Sequence, residues 1–560
     1  MADTRTIVIV GGVAGGASAA TRARRMNEHA RIILLEKDEY VSFANCGLPY
    51  YLGGQIKDRA KLLVSTPEKF RGWYNIDVRT RSEVTAIDRA RKCVTLSDGN
   101  TQATTELAYD KLILAPGASP ISPPIPGMRA ANVFTLRNLA DTDRIKGYLD
   151  SAHPRNAVVI GAGFIGLEMV ENLHHLQTGL TLVDLAPQVL PPLDPEMARI
   201  VEAELTRQGV CLHLGSGLEA LDTQGDRVYQ VRLANGTIIP ADLVILAMGV
   251  RPNTALAKAA GLALGQSGGI AVNAFMQTAD PDIYAVGDAA EYVHGVTDLP
   301  QRIPLAGPAN RAGRIAGEHA ATDAAPPMPA VLGTAIVRVF NATAGLTGLS
   351  QRQAHQANIP CKALWLPANH HVGYYPGAQE MILKVLYRTD NGRILGAQIV
   401  GGAGVDKRLD VIATAIRFKA RIEDLADLDL TYAPPFGAAK DPIHLAGFIG
   451  QNNRRDLDDL VPPPVTRDLP PRAQVLDVRT KPEWQAGHLP QAHWIPLNEL
   501  RGRLLELDAT RPLYVVCRGG QRAYYAARIL RQNGFREVHT VAGGMLMQGY
   551  LPALPEKITT

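Results

Sequence analysis

The chain has 560 residues, 46% of them hydrophobic and 20% charged, with a formal net charge of +4; this describes a globular protein of several domains at ~150 residues each. So small a charge bias argues against nucleic acid as a partner, and no apolar run reaches the ~18 residues that a membrane span needs. Five cysteines, at 46, 93, 211, 361 and 517, are odd in number and far apart, which excludes a disulfide framework or zinc ribbon and suits a reducing compartment. With no signal-peptide pattern at the N-terminus, the expectation is a cytoplasmic protein without membrane contact and without a metal site.

Ile7-Val8-Ile9-Val10 is a short, fully apolar run, as a central parallel strand should be. Gly11-Gly12-Val13-Ala14-Gly15-Gly16 and an Ala-rich helix to Met26 follow. Strand, glycine turn and helix place backbone N–H groups and a positive helix end at a pyrophosphate. Val13 stands where the middle glycine of G-x-G-x-x-G belongs, so the loop fits in part. Glu36 ends the next strand, where a ribose-binding acid is expected.

Val41 to Tyr50 then carries Cys46 among small or polar neighbours, with no second cysteine within forty residues. A thiol that exchanges electrons needs access, a lowered pKa and a partner. That partner is a substrate sulfur or a flavin here; the alternative is a buried cysteine packed as a small hydrophobe. Residues 76–99 read as hairpins, and Lys111 to Gly117 closes the unit.

A second copy begins at Ala157-Val158-Val159-Ile160. It runs through Gly161, Ala162, Gly163, Phe164, Ile165 and Gly166, a full G-x-G-x-x-G, to a strand ending in Asp184. The carboxylate suits a free ribose 2′-OH, and residues 185–190 offer no cation for a 2′-phosphate, which favours NADH over NADPH. The unit closes at Gly249. The first resumes at Thr278 and leads into Gly287-Asp288, where the Asp can accept from a flavin ribityl hydroxyl.

Residues 330–450 read as an α+β unit, with a hairpin turning at Asn391-Gly392 and a helix over Lys407 to Arg417. Residues 451–471 read as a linker, rich in proline and semi-rigid. The final ~90 residues form another α/β unit. In it Leu513-Tyr514-Val515-Val516 runs into Cys517-Arg518-Gly519-Gly520-Gln521-Arg522 and a helix. A cysteine at a strand end, under N–H groups and a helix N-terminus, with Arg522 beside it, is expected to be a depressed-pKa thiolate.

Residues 1–450 resemble the single-cysteine pyridine nucleotide-disulfide oxidoreductases, and within them the coenzyme A-disulfide reductases. The carrying motifs are Gly11 to Gly16, Ser42 to Pro49, Gly161 to Gly166, Gly287-Asp288 and Thr431 to Pro435. Residues 467–560 resemble a rhodanese domain through Asp477-Val478-Arg479, Glu483, Gly487-His488-Leu489 and Cys517 to Arg522. The whole looks like the fused reductase–rhodanese proteins that include NADH-dependent persulfide reductases. The resemblance implies an α/β fold with two nested Rossmann-like dinucleotide-binding domains, FAD over 1–117 and 250–325 and NAD over 118–249. It further implies an α+β dimerisation domain over 326–450, a linker over 451–466 and an α/β rhodanese domain over 467–560.

Two sequence features bear on the activity. Related NADH oxidases and peroxidases carry a histidine where this chain has Val13 or Ala14, which lowers oxidase chemistry. Four residues separate Cys517 from Arg522, one fewer than in rhodanese-like phosphatases, which favours sulfur transfer. Gly543-Gly544 is followed by Met545 where rhodaneses usually carry Trp.

By resemblance, Glu36 binds the FAD adenosine ribose and Asp288 its ribityl chain, Asp184 binds the NADH ribose, Phe164 gates the nicotinamide pocket and Glu168 sits near it. The cofactor-binding set expected also includes Lys37, Asn45, Gly117, Ile165, Gly249 and Ala306. Electrons pass to Cys46, whose thiolate attacks a coenzyme A persulfide, polysulfide or disulfide, oriented by Ser42 and Asn45. Ser18, Arg22, Arg25, Asn310 and Lys440 are the expected coenzyme A contacts; Arg22 and Arg25 lie on one helix face with Ser18. Tyr374, or Tyr375, and Tyr432 match tyrosines that in the family reach the active site from the partner subunit of a homodimer, and a phenol there can protonate a leaving thiolate. Cys517 takes up sulfane sulfur. The competing readings are chiefly a sulfurtransferase reset by the flavin module, an NADH oxidase, or a redox or coenzyme A sensor.

Overall fold

The computed structural model describes residues 4–101 and 103–551; the outermost residues of the first and last expected domains, 1–3 and 552–560, lie outside it. The described chain divides into two compact units, residues 4–187 with 210–333, and residues 188–209 with 334–551.

In the first unit the apolar run at Ile7 forms the central strand Thr6–Val10 of a five-stranded parallel sheet. Arg31–Leu35 and Lys111–Leu114 flank it, and Asp77–Arg79 and Ile283–Ala285 form the edges. The second copy repeats this around Asn156–Ile160, between Gly179–Asp184 and Leu243–Leu246. Each copy also carries a three-stranded antiparallel insert, Ser82–Asp88 to Thr104–Ala108 in the first and Leu218–Gln224 to Ile238–Pro240 in the second. Of the hairpins read at 76–99, the part from Ser82 on is the first of these, whereas Asp77–Arg79 is the parallel edge strand. The central strands are fully buried because helices cover both faces, which is why they read as unbroken apolar runs.

The helix after the first loop, Ala14–Met26, starts three residues earlier than the Ala-rich run suggests. It crosses the helix Ala306–Thr322 through small residues. A side-chain carbon at Gly313 would lie 2.1 Å from the Gly15 carbonyl oxygen, and one at Gly317 2.2 Å from that of Ala19. The crossing therefore has no room for anything but hydrogen, and it holds the start of Ala306–Thr322 beside the first glycine loop.

The second unit is built on a five-stranded antiparallel sheet, in the order Ala335–Val339, Ala342–Gly348, Ile394–Gly401, Glu380–Arg388, Cys361–Asn369. The hairpin at Asn391-Gly392 is present, and Gly392 takes a φ of 77° at its turn. Val405–Arg417 is helical, burying Leu409, Ile412 and Ile416 as its spacing predicts. Residues 188–209, inside the segment expected for the second nucleotide domain, pack here instead. Their anchor is Lys384, 1% exposed, 2.7 Å from Asp194 and 2.5 Å from Glu196. Burial opposes charge on Asp194, yet Lys384 and the N–H groups of Gln351 and Arg352 hold its carboxyl below the ordinary range.

The expected linker is more than a spacer. Pro442–Arg454 completes a helix, Asp459–Val461 joins the last sheet as a parallel edge strand beside Val538–Val541, and Pro463–Arg467 is a 3₁₀ turn. The prolines stop the strand at its end, while Leu460 is buried and Thr540 donates to Asp458 at 2.6 Å. A three-residue strand leaves too short a pattern to read against so much proline. The rest of that sheet is parallel, with Leu513–Val516 and Gln474–Asp477 at its centre.

Gly313→Ala is expected to force the two crossing helices apart. An over-packed contact of this kind costs about 1–3 kcal/mol, so Tm should fall and flavin absorbance should be lost on gel filtration. Retention of both would show that the crossing tolerates a methyl group.

Candidate active site

Both glycine loops are closed in the same way. The N–H of Gly12 donates to Glu36 Oε2 at 2.8 Å and that of Asp38 to Oε1 at 3.0 Å. In the second copy the N–H of Ala162 donates to Asp184 Oδ2 at 2.5 Å and that of Ala186 to Oδ1 at 2.7 Å. Each acid thus ties its loop to its own strand end and keeps lone pairs for a ribose. Burial raises the Glu36 carboxyl, opposed by those same N–H groups. No side-chain or backbone atom lies within 4 Å of where a side-chain carbon would stand at Gly163 or at Gly287, so the space over each is open to a ligand. Lys37 is exposed beside Glu36, and Phe164 and Ile165 open the second helix, half-buried and exposed.

Asp288 is half-buried, and burial raises its carboxyl, opposed by Arg137 and Arg302; Arg137 lies 4.0 Å away. A side-chain carbon at Gly117 would stand 2.8 Å from the Arg137 guanidinium, so this glycine, with φ of 66°, makes room for the arginine. Gly249, at the matching place in the second copy, has φ of 98°. These donors and acceptors fit an FAD and a second dinucleotide.

Cys46 occupies the 3₁₀ turn Asn45–Gly47, just before the helix Leu48–Leu52. Asn45 Oδ1 accepts from the Cys46 N–H at 3.1 Å and lies 3.7 Å from its sulfur. Ser42, expected beside the thiol, is buried with φ of 51°, and its N–H donates to the Gly12 carbonyl at 2.9 Å. It works through its backbone, stapling the cysteine segment to the first loop. Cys46 has an exposed edge, yet burial raises its thiol first, then the charges of Glu168 and Asp288, with Arg137 opposing. The expected lowering is therefore absent from the protein's own groups. Glu168 is itself pushed up to about 7 by burial, and accepts from the Tyr50 hydroxyl at 3.3 Å.

Four of the five expected coenzyme A contacts, Ser18, Arg22, Arg25 and Asn310, lie on the crossing helices. Ser18 Oγ lies 2.5 Å from Asn310 Oδ1, on the side where Arg25 is exposed and Ala306 begins its helix. Arg22 is held by Glu318 at 2.6 Å, so its charge is already matched.

In the second unit Tyr374 and Tyr432 are exposed, their hydroxyls 3.3 Å apart, a bond that more than burial raises the Tyr374 phenol. Tyr375 is also exposed and packs edge-on against His371. Lys440 is exposed next to Asp441, which caps the helix Pro442–Arg454 and pairs with buried Arg408 at 2.6 Å. That buried pair fixes the loop bearing Tyr432 and Lys440.

Cys517 is 1% exposed at the end of Leu513–Val516, and the Gly520 N–H donates to its sulfur at 3.1 Å. Gly520 has φ of 111°, and Gly543 and Gly544 have φ of 64° and 54°. A side-chain carbon at Gly544 would stand 2.3 Å from the Cys517 carbonyl oxygen, so the glycine pair lets two loops close over the cysteine. Arg522 donates twice to Glu483, at 2.6 and 2.7 Å, and holds that carboxyl down at about 2.

The family model described as pyridine nucleotide-disulphide oxidoreductase matches residues 5–313, and that of its dimerisation domain residues 334–441. The chain belongs to the pyridine nucleotide-disulphide oxidoreductases. A rhodanese-like domain model matches residues 467–546. Coenzyme A disulfide reductase from Staphylococcus aureus is 36% identical over 442 residues, which cover 79% of this chain and 99% of that protein. Among solved structures, reduced Bacillus anthracis CoADR-RHD is 46% identical with a TM-score of 0.94, covering 98% of both chains. A NAD-dependent persulfide reductase from A. fulgidus is 37% identical with a TM-score of 0.90, covering 97% of this chain and 99% of that one.

This oxidoreductase therefore has the α/β fold, dimerisation domain and rhodanese domain that its motifs indicate, and its family implies FAD and NAD(P)H. No described helix is long and apolar enough to cross a membrane. Sequence reasoning missed Arg137 beside Asp288, Tyr50 on Glu168 and Glu318 on Arg22. A lone Arg before a helix and a Tyr after a Pro carry no local signal of such pairings.

Removing the Glu168 charge should ease ionisation of Cys46, since a nearby anion disfavours a thiolate. Glu168→Gln is expected to move the Cys46 iodoacetamide alkylation profile to lower pH, with Cys46→Ser as the background control. An unmoved profile would mean that the Glu168 charge does not reach the thiol.

Proposed function

We propose that this protein is an FAD-dependent reductase that uses NADH to reduce sulfane sulfur through Cys46, with sulfur transfer at Cys517. The carrying observation is one accessible thiol, stapled through Ser42 to a glycine loop, in the same unit as two dinucleotide cradles. FAD, when bound, supplies a two-electron relay between the nicotinamide and the thiol.

The chain's own residues do the rest. Glu36 and Asp184 hold the two loops in shape, and Asp288 with Arg137 offers an acceptor and a cation. Cys46 attacks a substrate sulfur as its thiolate: a new S–S bond forms from the thiolate pair, and the bond behind the attacked sulfur breaks toward the leaving group. Tyr374 or Tyr432, from the second subunit of a homodimer, protonates that leaving group. Ser18, Arg25, Asn310 and Lys440 contact coenzyme A, with Arg22 available once a phosphate competes with Glu318. Substrates of this class are a coenzyme A persulfide, a polysulfide or coenzyme A disulfide. Val13 and Ala14 bring no ionisable side chain to the first loop, which argues against oxygen or peroxide chemistry as the main activity.

NADH should outperform NADPH, because Asp184 stands at the ribose and residues 185–190 supply no cation. The ratio of kcat/KM for the two is the measurement, and a ratio of one or below would require a cation from elsewhere.

The two cysteines should separate by function. Cys46→Ser is expected to abolish NADH-dependent sulfur reduction but leave flavin reduction by NADH intact, because a hydroxyl cannot bond to and release sulfur reversibly. Cys517→Ser should abolish thiocyanate formation and leave reduction of a small free persulfide largely unchanged. Loss of that reduction as well would make Cys517 an obligatory relay.

A further inference from the structure

The Cys517 cradle carries two arginines, and both are neutralised. Arg522 is matched by Glu483 from its own domain. Arg518, the residue after the cysteine, is matched by a carboxylate from outside that domain: Glu380 opens the strand Glu380–Arg388 of the antiparallel sheet. The pairing is two-pronged, with Nη1 to Oε1 at 2.8 Å and Nη2 to Oε2 at 3.1 Å. The contact is built rather than incidental. A side-chain carbon at Gly519 would stand 3.5 Å from Pro367, and one at Gly543 3.4 Å from Trp365, so both lips of the cradle lie against the neighbouring strand Cys361–Asn369. Arg518 and Glu380 have side chains 55% and 33% exposed, so the pair adds little to stability. Its effect is on charge. The side chains around the cysteine supply two positive and two negative charges; Arg522 and the N–H groups face the sulfur itself, and no net positive side-chain charge is left for a second anion.

We propose that Glu380 is a specificity-determining residue of the Cys517 site, selecting organic persulfides over inorganic dianions such as thiosulfate. This rests on the reading of Cys517 as a sulfur-transfer site. With an organic persulfide the step is RS–SH plus Cys517–S⁻ giving Cys517–S–SH plus RS⁻. The thiolate pair forms the new S–S bond and the old one leaves with RS⁻, so one negative charge is carried throughout. With thiosulfate, S–SO₃²⁻ plus Cys517–S⁻ gives Cys517–S–S⁻ plus SO₃²⁻, and three negative charges crowd the cradle. Two further cations are needed there, and Glu380 and Glu483 have taken both. A coenzyme A persulfide meets the requirement, because its phosphates lie a pantetheine arm away from the sulfur.

The test measures thiocyanate formation from thiosulfate and from the persulfide of 2-mercaptoethanol, using the full-length holoenzyme. Glu380→Gln keeps the shape and removes the charge. It should raise kcat/KM for thiosulfate about tenfold, chiefly through KM, and change the persulfide rate by less than twofold. Arg518→Gln alone removes the cation and leaves Glu380 unpaired, so it should lower kcat/KM for thiosulfate, and in the Glu380→Gln background it should erase the gain. An unchanged thiosulfate KM in Glu380→Gln, or equal changes for both donors, would overturn the proposal. Thiocyanate formation that survives Cys517→Ser would instead overturn the reading of Cys517 on which it rests.

Discussion

Backbone passing backbone with no side chain between is the constraint on which both nucleotide cradles depend. A side-chain carbon at Gly16 would stand 1.8 Å from the carbonyl oxygen of Gly11, and one at Gly166 the same distance from that of Gly161. This lets each helix begin directly over its strand end, where unpaired N–H groups and the helix dipole face an anion. The acid at the end of the next strand then ties the loop down through one N–H. The first copy goes further: its helix is crossed by Ala306–Thr322 at hydrogen-only distance, which brings Asn310 onto Ser18 and Glu318 onto Arg22.

Local patterns were legible in the sequence because the physics behind them is local. Strand, glycine loop, helix and acid follow within a few dozen residues, so Glu36 and Asp184 were found by their position in order. The same holds for Cys517 at a strand end and for the turn at Asn391-Gly392. Pairings across crossovers were not legible. Arg22 meets Glu318, Arg137 meets Asp288 and Tyr50 meets Glu168 only once the chain has folded back, and nothing in the flanking residues marks them. The edge strand Asp459–Val461 was hidden by the prolines around it. Residues 188–209 were assigned by their place between two strands of one sheet, whereas buried Lys384 draws their carboxylates to another unit.

The two reactive sulfurs are prepared in opposite ways. Burial, and after it the charges of Glu168 and Asp288, raise the Cys46 thiol, with Arg137 opposing. Glu168, with its carboxyl at about 7, is half-neutral near neutrality, so small changes around it alter the field at the sulfur. Cys517 has an N–H donor aimed at its sulfur, Arg522 beside it, and the two arginines of its loop matched by Glu483 and Glu380 from outside the loop. A cysteine whose S–S bond to substrate is later reduced by a neighbouring group gains from an environment that restrains the charge of its thiolate until a substrate sulfur arrives. A thiol that only hands sulfur on needs a fixed cradle.

That difference explains what the antiparallel sheet contributes to the last domain. Arg518 is one residue from Cys517 and would be free if the domain stood alone, because its carboxylate partner lies on a strand of a different domain. The charge around Cys517 is therefore completed only by the joined chain. Pro367 and Trp365 lie against the lips of the cradle, Glu380 matches the charge of Arg518, and the edge strand Asp459–Val461 ties the connecting segment into the last sheet. Joining the two domains thus does more than raise their local concentration: it changes which sulfur donors the second one can accept.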